Sequence, residues 1–236
     1  MIAEIIKNFQ GKRVLVLGDV MLDHYVWGEV ERISPEAPVP VLEVQKEEFR
    51  LGGAANVALN IKTLGGEPIL LGVIGKDTAA NDLIRLLTEK DIDTDKLIID
   101  SSRSTTLKTR IGAINQQIVR IDYETKTDIN LETMRKLLTN LEGLISNCDA
   151  MIIEDYNKGL LTEKIIEEAL RYAKEKNIPV AVDPKQKNFM AYKGVDIFKP
   201  NYKELQTISG KIFENEEEFL KIENIEEITT IFDLNS

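Results

Sequence analysis

Short apolar runs recur along the chain and alternate with amphipathic stretches. The first run, residues 13–19, is a row of Val and Leu closed by Gly and Asp, which is typical of a buried strand. Regular alternation of such runs with stretches of helical periodicity predicts an α/β fold with a doubly wound, mainly parallel sheet. The predicted strands are 13–19, 68–75, 149–156, 178–184 and 195–201, and the predicted helices are 1–10, 54–64, 79–90, 131–145, 162–176 and 202–209.

Two further stretches, residues 39–49 and 105–122, alternate apolar and polar residues with the period of a half-solvated strand. They predict a small antiparallel β-lid attached to the α/β body. A lid of this kind covers a small-molecule site in some proteins and forms an edge extension or a dimer contact in others. The pattern alone leaves both interpretations open, and they are compatible with each other.

Composition narrows the class of protein. The 236 residues carry 30 Lys and Arg against 40 Asp and Glu, a net charge of −10, with 43% hydrophobic residues. This acidic balance argues against nucleic acid as the main partner, because neutralising phosphates along a strand requires a basic face. The single Cys148 excludes an internal disulfide and favours a reducing cytoplasm. The apolar runs are far shorter than the ~20 residues of a membrane span.

Polar residues follow nearly every predicted strand, at the edge where open α/β sheets bind their ligands. Loops are polar in general, which accounts for part of this pattern, but acids standing beside lysines indicate a cation-assisted site for a polar anionic ligand. The residues in question are Asp19 and Asp23, Glu154 and Asp155, Asp183 and Lys185, and Asn201 and Glu204.

The segment from Gly52 to Asn56 places two glycines directly before a predicted helix. Small residues let a ligand approach the backbone, and the N–H groups of a helix start suit hydroxyl or phosphate oxygens. The motif is weak by itself, since close helix–sheet packing produces the same residues. Other motifs are missing: we find no P-loop, no dinucleotide-binding glycine pattern, no HExxH and no CxxC. For the single histidine, His24, we expect a packing or surface role.

Five segments in this order resemble the ribokinase-like (PfkB) carbohydrate kinases over residues 10–210: GDVMLDHYVWGEVERISPEAPVPVLEV, LGGAANVALNIKTLGG, EDYNKG, VDPK and KPNYKEL. Within that family, ISPEAPVPV and the later NQQIVRID are similar to the branch that acts on heptose 7-phosphate. The resemblance implies ATP- and Mg²⁺-dependent phosphorylation of the anomeric hydroxyl of D-glycero-β-D-manno-heptose 7-phosphate. The product is the 1,7-bisphosphate, a precursor of ADP-heptose and of the lipopolysaccharide core.

The resemblance also implies roles for individual residues. Asp23 matches the acid that holds substrate hydroxyls, and Gly52, Gly53 and Asn56 match the sugar-binding GGxxN signature. Charge-assisted bonds to the 7-phosphate are expected from cations of the lid. The expected substrate-binding set is Asp23, Gly52, Gly53, Asn56, Lys108, Arg110, Arg120 and Asp155; the expected nucleotide-binding set is Lys185, Asn201, Tyr202, Lys203 and Glu204, with Glu204 meeting magnesium indirectly through Mg-ATP.

The family's acceptor base is an Asp in a DTxGAGD segment, which does not occur here, so we expect that base beyond Ser236. The expected organisation is therefore a single incomplete kinase domain over 1–236 that lacks C-terminal elements, with lid strands within 22–50 and 104–123. A catalytically inactive sugar-phosphate-binding fragment and another family kinase, for fructose or ribose, are the alternatives. The family further implies a homodimer through the lid strands and a fused or separate nucleotidyltransferase.

Overall fold

The computed structural model describes residues 6–113 and 116–209. These residues form two sheets and a set of helices that pack on the larger sheet. The strands are β1 Arg13–Gly18, β2 Val20–Ile33, β3 Pro40–Gly53, β4 Glu67–Ile74, β5 Leu97–Ile99, β6 Thr106–Ala113, β7 Gln116–Tyr123, β8 Ala150–Glu154, β9 Val180–Asp183 and β10 Ile197–Phe198. The α-helices are α1 Ala54–Thr63, α2 Thr78–Glu89, α3 Leu131–Ile145, α4 Glu163–Lys176 and α5 Tyr202–Ser209, and a 3₁₀-helix spans Gln186–Ala191.

The body is a six-stranded sheet in the order β10-β9-β8-β1-β4-β5, and all of its recorded strand pairs are parallel. From β1 the chain moves outward through β4 to β5, and it later returns to the other side of β1 and moves outward through β9 to β10. The order therefore reverses between β1 and β8. A reversal of this kind opens a crevice at the carboxyl ends of the two strands, which is where doubly wound folds bind ligands. The predicted fold class is confirmed.

Strand β1 shows why the body strands read as apolar runs. Leu15 and Leu17 pack into a core cluster with α3 and α4, whereas Val16 faces the opposite cluster with α1 and α2. Because both faces of the strand are covered by helices, consecutive residues are buried and the sequence does not alternate. Because β1 is packed on both sides, it is held firmly in the sheet. Asp19, the residue directly after it, is thereby held at the carboxyl edge of the sheet.

The lid is a four-stranded sheet in the order β3-β2-β6-β7. Its outer pairs, β2 with β3 and β6 with β7, are antiparallel, but the central pair of β2 and β6 is parallel. The lid is thus mixed rather than wholly antiparallel as predicted. Both central strands leave the carboxyl edge of the body, β2 after β1 and β6 after β5, so they run in the same direction. The predicted stretch 105–122 divides into β6 and β7.

Three other details differ from the prediction. The short edge strand β5 and the 3₁₀-helix were not expected, and only Ile197–Phe198 of the predicted strand 195–201 pairs with β9. The predicted helix 1–10 lies partly outside the described residues. Among the described helices, none combines the length and the hydrophobicity that crossing a bilayer requires.

Candidate functional site

A cleft of about 680 Å³ lies between the inner face of the lid and the helices α1 and α2. Tyr156, which follows β8 at the strand-order reversal, closes one end of it. The structure brings together in this cleft six of the residues that the sequence singled out for substrate. They are Asp23, Gly52, Gly53, Asn56, Lys108 and Arg110.

Strand pairing explains why the inner face of the lid is charged. Asp23 of β2 lies opposite Lys108 of β6, and Tyr25 lies opposite Arg110 two residues on. Because side chains alternate between the two faces of a strand, all four lie on one face, and all four line the cleft. His24, on the other face, stacks on the Phe49 ring with 4.2 Å between centroids. The expected packing role of His24 is confirmed.

An ion pair joins the two side chains that were expected to meet different parts of a sugar phosphate. Arg110 donates a hydrogen bond to the carboxylate of Asp23, and both side chains are largely buried. Burial by itself lowers the pKa of Arg110, but the hydrogen bond and charge of Asp23 outweigh it, and the net shift is upward. The acid and the cation therefore neutralise each other in the structure.

Arg50 is a cationic lining residue that the sequence reasoning missed. Its guanidinium carbon lies 4.8 Å from the centroid of the Tyr25 ring, and that of Arg110 lies 5.2 Å from the same centroid. Tyr25 is on β2 between the strands of the two arginines, so it separates two guanidinium groups in one cleft. The sequence did contain an indication of this position. Arg50 stands two residues before Gly52, so the two residues lie on the same face of β3.

Steric contacts explain why positions 52 and 53 are both glycine. A Cβ on Gly52 would come within 2.8 Å of a carboxylate oxygen of Asp23, and a Cβ on Gly53 would come within 2.3 Å of the carbonyl oxygen of Asp19. Gly53 also has φ 53°, in the region that favours glycine, and it caps α1 without a side-chain hydrogen bond. The N-terminal turn of α1, with Asn56, thus borders the cleft and carries the positive end of the helix dipole.

Two residues of the expected substrate set lie elsewhere. Arg120 is half exposed and donates two hydrogen bonds to Asp122, at 2.9 and 3.0 Å, and it does not line the cleft. Asp155 is 1% exposed and points into the core. Its carboxylate accepts hydrogen bonds from Tyr192 Oη at 2.7 Å and from Asn188 Nδ2 at 2.8 Å. Burial together with this carboxylate raises the pKa of Tyr192 far above its usual range. In the structure Asp155 thus holds Tyr192 and Asn188 in the core and does not line the cleft.

Asp19 fixes the loop that follows β8. One of its carboxylate oxygens accepts the backbone N–H groups of Tyr156 at 2.9 Å and of Lys158 at 3.0 Å. Burial raises the pKa of Asp19 to about 6, although these two hydrogen bonds act in the opposite direction. This carboxylate thereby positions Tyr156 and Lys158 at the strand-order reversal.

A second cavity, of about 650 Å³, lies on the other side of Tyr156. Tyr156 lines both cavities, so the two adjoin at its ring. The second cavity contains Lys185, as expected for a phosphate contact, and three lysines that the sequence reasoning did not single out. A lining this basic suits a ligand with several phosphate groups. The lysines are Lys126, Lys158, Lys185 and Lys187.

The NxxE element forms a capping box at the start of α5. The Asn201 side-chain oxygen accepts the Glu204 N–H at 3.0 Å, and the Glu204 carboxylate accepts the Asn201 N–H at 2.7 Å. The other oxygen of Glu204 pairs with Lys185 Nζ. Lys185, Asn201 and Glu204 are thus brought together, whereas Tyr202 and Lys203 line neither cavity.

Magnesium has no ready-made protein site in the described part of the chain. No group of three His, Cys, Asp or Glu residues there is arranged to hold a metal ion. Both carboxylate oxygens of Glu204 are engaged by protein groups, so this residue does not fit a direct ligand. Nearby, burial and then the charge of Asp183 raise the pKa of Glu154 to about 7.

Comparison with known proteins identifies the family to which the sequence is similar. The model of the pfkB family carbohydrate kinases matches residues 12–231. The bifunctional protein HldE of Aliarcobacter butzleri (strain RM4018) is 45% identical over 193 residues, which are 82% of this chain and 40% of that protein. HldE of Helicobacter pylori (strain HPAG1) is 44% identical over 195 residues, 83% of this chain and 42% of that protein. The chain spans about two fifths of the length of these relatives.

Solved structures with the same fold are more distant in sequence. Phosphofructokinase-2 from Escherichia coli, in its tetrameric inhibited form, superposes with a TM-score of 0.70 at 17% identity, over 94% of this chain and 71% of that one. Ribokinase of Arabidopsis thaliana, complexed with ribose and ATP, gives 0.66 at 15% identity over 95% and 70%. At these identities the likeness concerns the fold.

Proposed function

The chain belongs to the pfkB family of carbohydrate kinases, and on that basis we propose that it is the kinase part of an enzyme that phosphorylates D-glycero-β-D-manno-heptose 7-phosphate at its anomeric hydroxyl. Relatives at 39–45% identity carry the name bifunctional protein HldE. The heptose assignment rests on the ISPEAPVPV and NQQIVRID segments. The phosphate donor in this proposal is ATP.

The observation that carries the proposal is the pairing of two chemistries in one cleft. Asp23 and Asn56 supply hydrogen-bonding groups for sugar hydroxyls, and Lys108, Arg110 and Arg50 supply cations within the same 680 Å³. In the structure each of these cations is paired with a protein carboxylate: Arg110 with Asp23, Arg50 with Glu48, and Lys108 with Asp122 and Glu124. A phosphate group of the ligand would take the place of such a carboxylate, whereas a sugar without phosphate would not. An acceptor that is already phosphorylated uses both sets, because guanidinium groups bind phosphate through charge-assisted hydrogen bonds.

The two cavities suit two substrates that meet at Tyr156. The acceptor sugar phosphate occupies the cleft under the lid, with its hydroxyls on Asp23 and the start of α1. The donor phosphates occupy the lysine-lined cavity, where Lys185 and its neighbours neutralise their charge. Phosphoryl transfer requires mainly positioning and charge neutralisation, and this chain's cations and helix start provide both. Magnesium bound to the nucleotide supplies further neutralisation of the phosphate oxygens.

The lid also has a surface suited to a second copy of the chain. Val119 and Ile121 lie on the face of β7 opposite Arg120 and are 44% and 39% exposed. Pairing of lid strands between two copies would bury these side chains and the free edges of the sheet. We include a lid-mediated homodimer in the proposal, together with a cytoplasmic location and a fused or separate nucleotidyltransferase.

The function is tested by calorimetric binding of single sugars to this chain, with ADP formation from ATP and Mg²⁺ measured in parallel, because the acceptor base is expected beyond Ser236. The panel contains heptose 7-phosphate, the unphosphorylated heptose, fructose 6-phosphate, fructose and ribose. We expect the heptose 7-phosphate to be preferred over every other sugar in the panel. An unphosphorylated sugar as the best acceptor would refute the proposed role of the cations.

The remaining outcomes distinguish the alternatives. Preference for fructose 6-phosphate would keep the family and the phosphate contact but replace the heptose by another sugar. Saturable binding of heptose 7-phosphate without ADP formation would identify a fragment that binds but does not transfer. Sedimentation velocity of the wild-type chain and of Ile121→Lys tests the dimer, which should dissociate in the variant.

A further inference from the structure

Glu124 lies where the lid returns to the body, one residue after β7. Its side chain is only 10% exposed. Three lysine ammonium groups surround its carboxylate: Lys158 Nζ at 2.6 Å, Lys126 Nζ at 3.0 Å and Lys108 Nζ at 3.5 Å. The lysines come from separate parts of the chain, since Lys108 is on β6 of the lid and Lys158 is in the body loop after β8.

These lysines belong to different cavities. Lys108 lines the acceptor cleft, whereas Lys126 and Lys158 line the second cavity. Glu124 lines neither cavity but contacts lysines that line each of them, so it lies between the two sets of lysines. The backbone of the loop is held independently of Glu124, because Asp19 accepts the N–H of Lys158 and Arg103 donates to its carbonyl oxygen.

The cluster carries more positive than negative charge. Within the described residues, Glu124 contacts three lysines, and the other carboxylate in contact with these lysines is that of Asp122, 3.4 Å from Lys108. Burial by itself raises the pKa of Glu124, but the neighbouring ammonium groups of Lys158 and Lys126 outweigh it and lower the pKa to about 2. With a pKa this low, the Glu124 carboxylate is ionised near neutral pH. The side chains of Lys108 and Lys158 are mostly buried, so each depends on a nearby anion.

We propose that Lys108, Lys126 and Lys158 form an anion site for a phosphate group, and that the Glu124 carboxylate is the internal anion of this site while no ligand is bound. Its position between the cavities fits a phosphate that borders both. Identifying this group as the terminal phosphate of the donor rests on the proposed function. The anion site itself rests only on the arrangement of the four side chains.

The test replaces Glu124 by the uncharged residue of the same shape. In Glu124→Gln the three lysines lose their shared counter-ion, and the melting temperature in phosphate-free buffer should fall by roughly 5 °C. Inorganic phosphate at millimolar concentration should restore most of this loss by occupying the site. It should stabilise the wild type much less, because the wild-type carboxylate already occupies the site. Sodium chloride at equal ionic strength controls for screening.

Two further variants make the result decisive. Glu132→Gln removes an exposed acid that pairs with Lys136 at 2.7 Å and should change neither the melting temperature nor the phosphate response appreciably. Should Glu124→Gln alone not fold, the double variant Glu124→Gln/Lys158→Met, which also removes a charge from the cluster, should fold in phosphate-free buffer and lack the phosphate response. Failure of the double variant to fold, a phosphate response of Glu124→Gln no larger than that of the wild type, or a phosphate response of the double variant larger than that of the wild type would overturn the proposal.

Tripolyphosphate and inorganic phosphate distinguish the source of the group. If the site receives the end of a donor polyphosphate, tripolyphosphate should stabilise Glu124→Gln at lower concentration than inorganic phosphate does. Equal effectiveness would assign the site to single phosphate groups. A chain that responds as proposed to inorganic anions, yet does not bind heptose 7-phosphate, would retain the anion site and refute only the proposed substrate.

Discussion

Arg110 donates a hydrogen bond to Asp23 across the parallel pair of β2 and β6, inside the cleft that the lid covers. In the proposed complex these two side chains serve different groups, the carboxylate meeting a sugar hydroxyl and the guanidinium meeting the phosphate. Binding of a sugar phosphate therefore replaces an internal ion pair by two contacts to one ligand. A sugar without phosphate offers no partner for Arg110.

The first prediction concerns this ion pair. Arg110→Ala should weaken binding of heptose 7-phosphate by roughly tenfold or more, because a charge-assisted contact to phosphate is lost. Binding of the unphosphorylated heptose should stay equal or improve, since Asp23 is released from its partner. Isothermal titration calorimetry with both sugars measures the two effects. Arg120→Ala is the matched control, and unchanged affinity in Arg110→Ala would contradict the assignment.

The second prediction concerns Arg50, which lies beside Tyr25 opposite Arg110. Arg50→Lys keeps the charge but removes the planar fork, which donates two hydrogen bonds to Glu48 in the structure, at 2.8 and 3.2 Å, and would bind two phosphate oxygens in the proposed complex. We expect a several-fold weaker affinity for the sugar phosphate, a larger loss in Arg50→Ala, and little change for the unphosphorylated sugar. Titration of the wild type and of the two variants with each sugar measures these affinities. Equal losses with both sugars would show that Arg50 supports the fold of the lid rather than the phosphate.

The third prediction uses the raised pKa of Glu154. An acid whose pKa is raised in the folded protein keeps its proton to a higher pH than in the unfolded chain. The free energy of unfolding therefore falls as the pH rises from about 4.5 to about 7. In Glu154→Gln this contribution disappears, so the stability of the variant relative to wild type should rise by roughly 3 kcal/mol between pH 4 and pH 8.

Urea unfolding of both proteins at several pH values provides the measurement for Glu154. The raised pKa of Asp19, at about 6, acts in the same direction in both proteins and cancels in the comparison. Glu167→Gln, on the exposed side of α4, is the matched control and should follow the wild type. A stability difference that does not change with pH would refute the prediction.

The fourth prediction concerns the capping box of α5. Asn201→Ala removes the acceptor of the Glu204 N–H and should destabilise the protein by about 1 kcal/mol, the usual cost of an N-cap. Glu204→Gln preserves a capping side chain but loses the charge opposite Lys185, so it should affect nucleotide binding more than it affects stability. Urea unfolding and titration with ADP separate the two effects. The reverse ranking would contradict this division of roles.

Much of the body was predictable from the sequence, because its strands are buried on both faces and read as continuous apolar runs. The pairing of β2 with β6 was not, since it joins strands that are distant in the sequence and no local pattern encodes it. The position of Arg120 could not be predicted for the same reason, because it depends on how the lid strands are ordered. Alternation gives it the same face as Arg110, but β7 is the edge strand away from the cleft, and Asp122 holds its side chain there.

The residues at the strand ends show a second limit of prediction from sequence. Glu154 and Asp155 are adjacent acids, and the sequence identified both, but neighbouring side chains point in different directions and only the tertiary contacts decide which one is structural. Tyr192 and Asn188, more than thirty residues further on, bind Asp155 in the core. The GGxxN signature was recognisable as a short motif of the family, although the contacts that require its glycines come from Asp19 and Asp23, about thirty residues earlier. Arg50 carried a signal only through its distance from that motif.

The central claim is that the cleft recognises a sugar by its phosphate group. Calorimetric titration of the 236-residue chain with heptose 7-phosphate and, separately, with the unphosphorylated heptose tests it most directly. We predict saturable binding of the sugar phosphate with an affinity at least about tenfold higher than that of the free sugar. Equal affinities for the two sugars, or no binding of the phosphorylated one, would contradict the claim.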